Sequence, residues 1–152
     1  MHTRSHLTSR RMSLIVQLPG SSNILLLTKG ADTAILPYCQ RPDNAAVVAA
    51  VTTHITSYAQ AGFRTLCFAT RQLTQSEFEG WLANYNSAIL AVTGKDLLMS
   101  SLAEKLERDL VLQGCTAIED RLSPGVPEAI RLLREAGIIV WVLTGDKQVR
   151  AL

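Results

Sequence analysis

Ala136-Gly137-Ile138-Ile139-Val140-Trp141-Val142-Leu143-Thr144-Gly145-Asp146-Lys147 is the stretch whose reading decides the fold class: a helix end, a fully apolar strand-like run, then a hydroxyl, a glycine and a carboxylate. In open α/β sheets ligands sit beyond the carboxyl ends of the strands, because the helices that follow present unpaired N–H groups and positive dipole ends there. Thr144 can donate to a phosphoryl oxygen, Gly145 admits close backbone approach, and Asp146 can hold a metal-bound water or a ribose. Thr-Gly-Asp is also a common turn, so on local chemistry alone turn and phosphate site both stay open.

Working outward, the run Leu110-Val111-Leu112-Gln113-Gly114-Cys115-Thr116-Ala117-Ile118 reads as a short apolar strand leading to Glu119-Asp120-Arg121. Pro127 suits a first helical turn, Ile130, Leu132 and Leu133 supply an apolar face, and Gly137 ends the helix. Strand 110–118, helix 127–136 and strand 138–143 are therefore expected to make one right-handed βαβ unit. The change of composition at its start places a domain boundary there, giving residues 1–109 and 110–152. Only Gln148-Val149-Arg150-Ala151-Leu152 follow, too little for the further strands such a sheet needs, and the chain is expected to be cut at both ends.

The first part alternates strands and helices. Residues 13–17 and 23–28 are β-rich and separated by Leu18-Pro19-Gly20-Ser21-Ser22, which predicts a hairpin with Lys29 at its exit. Pro42-Asp43 starts a helix in which Val47, Val48, Val51, Ile55, Tyr58 and Ala59 recur at helical spacing, with Gly62 as its left-handed stop. Residues 63–69 return to strand character. Thr74 with Glu77 makes a capping box before a helix whose Phe78, Trp81, Leu82, Tyr85 and Ile89 share one face, and another helix covers 97–109. The fold class is α/β.

Composition excludes several functions. The chain of 152 residues is 47% hydrophobic and 18% charged, which is globular composition. A net charge of +2, with Arg4, Arg10 and Arg11 as the one basic cluster, argues against nucleic acid as a partner. Cys39, Cys67 and Cys115 are odd in number, far apart and without paired histidines, so neither a disulfide framework nor a zinc site is supported. No apolar stretch approaches the roughly 18 to 20 residues that cross a bilayer. Thr93-Gly94-Lys95-Asp96 lacks the first glycine and the hydroxyl of a phosphate-binding loop and reads as a turn between helices. His2, His6 and His54 have no ligand spacing.

Four segments stand in one order: Arg11-Met12-Ser13; Thr28-Lys29-Gly30-Ala31-Asp32; Phe63-Arg64-Thr65-Leu66; and Thr116-Ala117-Ile118-Glu119-Asp120-Arg121-Leu122 leading to Trp141-Val142-Leu143-Thr144-Gly145-Asp146-Lys147-Gln148. Together they resemble P-type ATPases of the phospholipid-transporting, or flippase, branch, over nearly the whole chain. The resemblance implies that residues 1–109 are the later part of a nucleotide-binding domain. It implies that 110–152 re-enter a phosphorylation domain with a haloacid-dehalogenase-like, Rossmann-type core, with the hinge near Asp120. It puts Lys29 in the ATP pocket, Arg64 on nucleotide phosphate, and Thr144, Gly145 and Asp146 on the phosphate side. Asp32 and Glu119 are given structural roles, at a turn and at the hinge. In the family a phenylalanine stacks on adenine just before Arg-Met-Ser, whereas Ser5-His6-Leu7-Thr8-Ser9 holds no aromatic residue. That loss predicts weaker adenine binding, on the order of 1 kcal/mol.

The implied activity of the intact protein is ATP-driven movement of phospholipid between membrane leaflets through an aspartyl-phosphate intermediate, with Mg2+ and ATP as cofactors and an accessory membrane subunit as partner. The phosphorylated-aspartate segment Asp-Lys-Thr-Gly-Thr, the later magnesium segment and the membrane helices do not occur in these 152 residues. Phosphoryl transfer needs an in-line nucleophile and charge neutralisation, so the chain is expected to be inactive alone. Two other readings compete: a non-catalytic nucleotide-binding or interaction module, and a small haloacid-dehalogenase-like phosphatase, which the missing nucleophilic aspartate disfavours.

Overall fold

The computed structural model describes residues 2–3, 10–17, 19–119, 121–141 and 143. Five strands, β1 (His2–Thr3), β2 (Arg11–Gln17), β3 (Ile24–Gly30), β4 (Arg64–Leu73) and β5 (Val111–Ile118), lie side by side in sequence order. Every neighbouring pair is antiparallel. The helices are α1 (Asp32–Ile35), α2 (Ala45–Gln60), α3 (Gln75–Ile89), α4 (Lys95–Leu106) and α5 (Val126–Glu135). The expected hairpin is β2 with β3, paired from Gln17↔Ile24 to Arg11↔Gly30.

Alternation along the strands sends one set of side chains into the core. Ser13 and Ile15 of β2, Ile24, Leu26 and Thr28 of β3, Cys67, Ala69 and Leu73 of β4, and Leu112 of β5 are buried. They meet Val51 and Ile55 of α2, Trp81 and Tyr85 of α3, and Leu102 and Leu106 of α4 in one cluster. Helix spacing predicted α2 well, except that Val47 at its start is exposed. Helix α2 ends as expected at Gly62, whose φ of +83° is left-handed. Thr74 caps α3 by accepting a hydrogen bond from the Glu77 amide at 3.2 Å. Trp81 donates its indole N–H to the Leu102 carbonyl at 3.0 Å, tying α3 to α4, and stacks on Tyr85. Gly94, at φ +68°, holds the N-cap position of α4, so of Thr93-Gly94-Lys95-Asp96 only Thr93 and Gly94 belong to the expected helix-connecting turn, and Lys95 and Asp96 begin α4.

Behind this core sits a buried ion pair. The Arg11 Nε donates to Glu107 Oε2 at 2.8 Å, with both side chains 7% exposed. Its Nη1 donates to the Ala34 carbonyl, and the guanidinium lies 4.2 Å from the centre of the Tyr38 ring. Ser13 Oγ donates to Glu107 Oε1 at 2.5 Å. With its one proton committed there, Ser13 accepts from Thr28 Oγ1 at 3.0 Å. Burial pulls the Arg11 pKa down, yet the Glu107 hydrogen bond and charge, with Tyr38, leave it above its ordinary value. The Cys39 thiol, buried without a charged partner, is pushed up to about 11, so it stays protonated and unreactive at neutral pH.

The expectation of a βαβ unit over 110–143 is corrected. Strand β5 runs antiparallel to β4, from Arg64↔Ile118 to Thr70↔Val111, and is the last strand of the sheet rather than the first of a parallel one. The Leu110 N–H bonds the Tyr38 carbonyl, and Asn44 donates to the Leu110 carbonyl, so the entry to β5 is stitched to the loop before α2. The helix forms at α5, with Gly125 before it at φ +85° and Gly137 after it at φ +79°. No strand follows it: among the described residues, 138–141 and 143 are irregular, and Ile139, Trp141 and Leu143 are exposed. A strand takes its backbone partners from a neighbour, and the pairs described for β5 are all with β4.

Candidate functional site

The helices cover one face of the sheet, and the other face carries a concavity of about 380 Å³. Met12 and Leu14 of β2, Leu27 and Lys29 of β3, and Phe68 and Thr70 of β4 line it. The register explains the grouping, since Lys29 stands opposite Met12 on one side and Phe68 on the other. Residues two apart along a strand share a face, so Leu27 adjoins Lys29 on β3 and Thr70 adjoins Phe68 on β4.

Lys29 is exposed at the last turn of strand before the chain leaves the sheet. Gly30 after it is dictated by packing, because a Cβ there would lie 2.6 Å from the Arg10 carbonyl oxygen. The Ala31 N–H bonds that same carbonyl at 3.4 Å, and α1 begins immediately afterwards. Lys-Gly-Ala is thus a strand end clamped to β2, with the ammonium left on the rim of the concavity.

Arg64 is the first residue of β4, exposed and opposite Ile118. Its parity matches Leu66 and Phe68, so it belongs to the same face as Lys29. Phe68 lies four positions farther on, ~13 Å along the strand. The face therefore carries an apolar floor with one cation beside it and a second farther along β4. Such a surface suits a ligand with a flat apolar part and an anionic tail. Thr144, Gly145 and Asp146 lie outside the described residues. Glu119 is exposed and accepts from Arg121 Nε at 2.8 Å.

The two cations are expected from the sequence, whereas the apolar floor is not. Phe68 is 36% exposed although it sits mid-strand in the sheet, and its one signal was the alternation Leu66, Phe68, Thr70 against Cys67, Ala69. No group of three His, Cys, Asp or Glu side chains that could hold a metal occurs among the described residues. No helix among them is long and apolar enough to cross a membrane.

Residues 6–125 match the family profile described as P-type ATPase, cytoplasmic domain N. The chain is 46% identical over 144 residues to Phospholipid-transporting ATPase DNF2 of Saccharomyces cerevisiae, covering 91% of this chain and 9% of that protein. It is 42% identical over 143 residues to Phospholipid-transporting ATPase 2 of Arabidopsis thaliana, covering 94% and 13%. It is 40% identical over 151 residues to Phospholipid-transporting ATPase VD of Homo sapiens, covering 93% and 11%. The chain thus spans about a tenth of the length of these relatives. With the profile matched over most of its length, the chain belongs to the P-type ATPases, and each of the three relatives above is a phospholipid-transporting one.

Proposed function

We propose that the chain is a nucleotide-binding segment of an ATP-driven phospholipid translocase, and that the concavity beside Lys29 receives ATP. The observation that carries this reading is the exposed ammonium at the rim of an apolar concavity, within the segment that matches the cytoplasmic N domain. Lys29 would hold the nucleotide by its charge. Arg64 would give its planar fork of donors to phosphate oxygens. Thr144, Gly145 and Asp146 would meet the phosphates from the phosphorylation domain. Magnesium would enter with the triphosphate and neutralise part of its charge; the described residues offer no cluster of ligands for it.

In the intact protein, ATP held here would phosphorylate an aspartate supplied by another segment, and the cycle would move phospholipid across a membrane together with an accessory membrane subunit. These residues would then face the cytosol. We place the junction between the nucleotide-binding part and a haloacid-dehalogenase-like phosphorylation part in the stretch 119–125. The pairing of β5 with β4 supports that position over a division at 109/110.

Calorimetric titration of the chain with ATP tests the pocket. Lys29→Ala is expected to weaken binding roughly tenfold, the weight of one hydrogen bond to a charged group. The side chain is exposed and outside the core, so the fold should be unaffected. An unchanged affinity would remove Lys29 from the site.

A further inference from the structure

We infer that Phe68 is the platform on which the nucleobase stacks, which makes it a binding residue in its own right beside Lys29. The inference rests on the nucleotide reading above and adds to it the orientation of the ligand.

Phe68 is the one aromatic among the described residues lining the concavity. A helix-covered antiparallel sheet normally turns polar side chains to its open face; this face instead presents Met12, Leu14, Leu27 and Phe68 around a single ammonium. On the β3 side the ring stands opposite Lys29. On the β5 side it stands opposite Gly114, which has no side chain to cover it. Gly114 lies at a register irregularity, with φ +150°, and a Cβ built there would meet nothing within 4 Å. An irregularity of this kind re-aims the strand and exposes what lies across from it. Among the described residues the ring is therefore flanked by a cation on one side and by a position without a side chain on the other, and a planar heterocycle can enter from β5 and lie against it.

The same geometry sets direction. With the base over Phe68, Lys29 is one strand away and Arg64 is farther along β4, on the same face toward its start. The sugar and phosphates would run along β4 toward Arg64. An aromatic platform is tolerant of base identity because every base offers a π-face, so Phe68 confers affinity for nucleosides without selecting adenine strongly over guanine.

The test compares Phe68→Leu and Phe68→Ala with the unaltered chain, using ATP, adenosine and inorganic tripolyphosphate as separate probes. Both variants should bind ATP and adenosine about tenfold more weakly, as expected for loss of one base–aromatic stack, and bind tripolyphosphate as before. Phe68→Trp should restore affinity and show tryptophan quenching on adding adenosine. Circular dichroism and urea melts check folding, and the tryptophan variant keeps the test decisive if a truncation unfolds the chain. ATP affinity untouched in Phe68→Leu while Lys29→Ala loses it would overturn the inference and leave the pocket standing. Equal weakening toward tripolyphosphate would also overturn it, because the ring would then be acting through the fold. Failure of the unaltered chain to bind ATP at all would overturn the nucleotide reading and this inference together.

Discussion

Arg11, Ser13 and Glu107 show how a motif that marks a family can do so for reasons of folding. Arg11 and Ser13 send their polar groups away from the open face and onto one buried carboxylate after α4. A buried pair of this kind contributes little net stability over an apolar substitute, yet breaking it strands a charge. Glu107→Gln should therefore destabilise the chain by about 3 to 5 kcal/mol, since it removes the carboxylate charge that faces the buried Arg11 guanidinium. The double substitution Arg11→Met with Glu107→Leu should recover most of that loss. Urea unfolding of the three chains measures both terms; a Glu107→Gln midpoint close to that of the unaltered protein would mean that water reaches Arg11. Met12 between them points the other way, into the concavity, so the three residues serve the core and the site by turns.

At the level of elements, the capping box before α3 is half formed. Thr74 accepts from the Glu77 amide, but the Glu77 carboxylate is taken by Arg71, which also donates to the Leu106 carbonyl at 3.0 Å. Arg71 thus links β4 to α3 and to the end of α4, and it holds the Glu77 carboxylate away from the Thr74 backbone. Thr74→Ala should cost about 1 kcal/mol, the usual weight of a cap, read as a lower thermal midpoint with ATP affinity unchanged; a loss of affinity would show that α3 steers the open face. The pattern of apolar residues made the β2–β3 hairpin, α2 and α3 legible, because each has one buried face and a clear stop. It could not orient β5. An apolar run such as Leu110-Val111-Leu112 reads alike in a parallel and an antiparallel sheet, and its partner is decided by the exposed edge of β4, which no local pattern encodes. The site was legible to the same degree. Lys29 and Arg64 stood out as cations in recognisable surroundings, whereas Phe68 was hidden because both faces of β4 carry apolar side chains, and only the placement of the helices tells which face is left open.

For the molecule as a whole, the buried cluster runs from Ile15 to Leu112, and among the described residues none of α5 or after it belongs to it. Helix α5 is held internally by Arg131, which pairs with Glu128 and Glu135. Its Ile130, Leu132 and Leu133 are exposed, and so are Ile138, Ile139 and Trp141 beyond it, the last at 80%. Apolar residues gathered on a surface in this way favour association, while a tail outside the core adds little to its cooperativity. A chain ending at Glu119 should then unfold with a midpoint within about 0.5 kcal/mol of the longer one, as for surface changes away from a core. It should retain its affinity for adenosine, because Lys29 and Phe68 precede the cut, and lose only what Thr144, Gly145 and Asp146 would add toward the phosphates of ATP. Sedimentation velocity should find the shortened chain monomeric at concentrations where the longer one associates. If the shortened chain instead loses several kcal/mol, the segment after β5 supports the sheet, and the junction belongs elsewhere than 119–125.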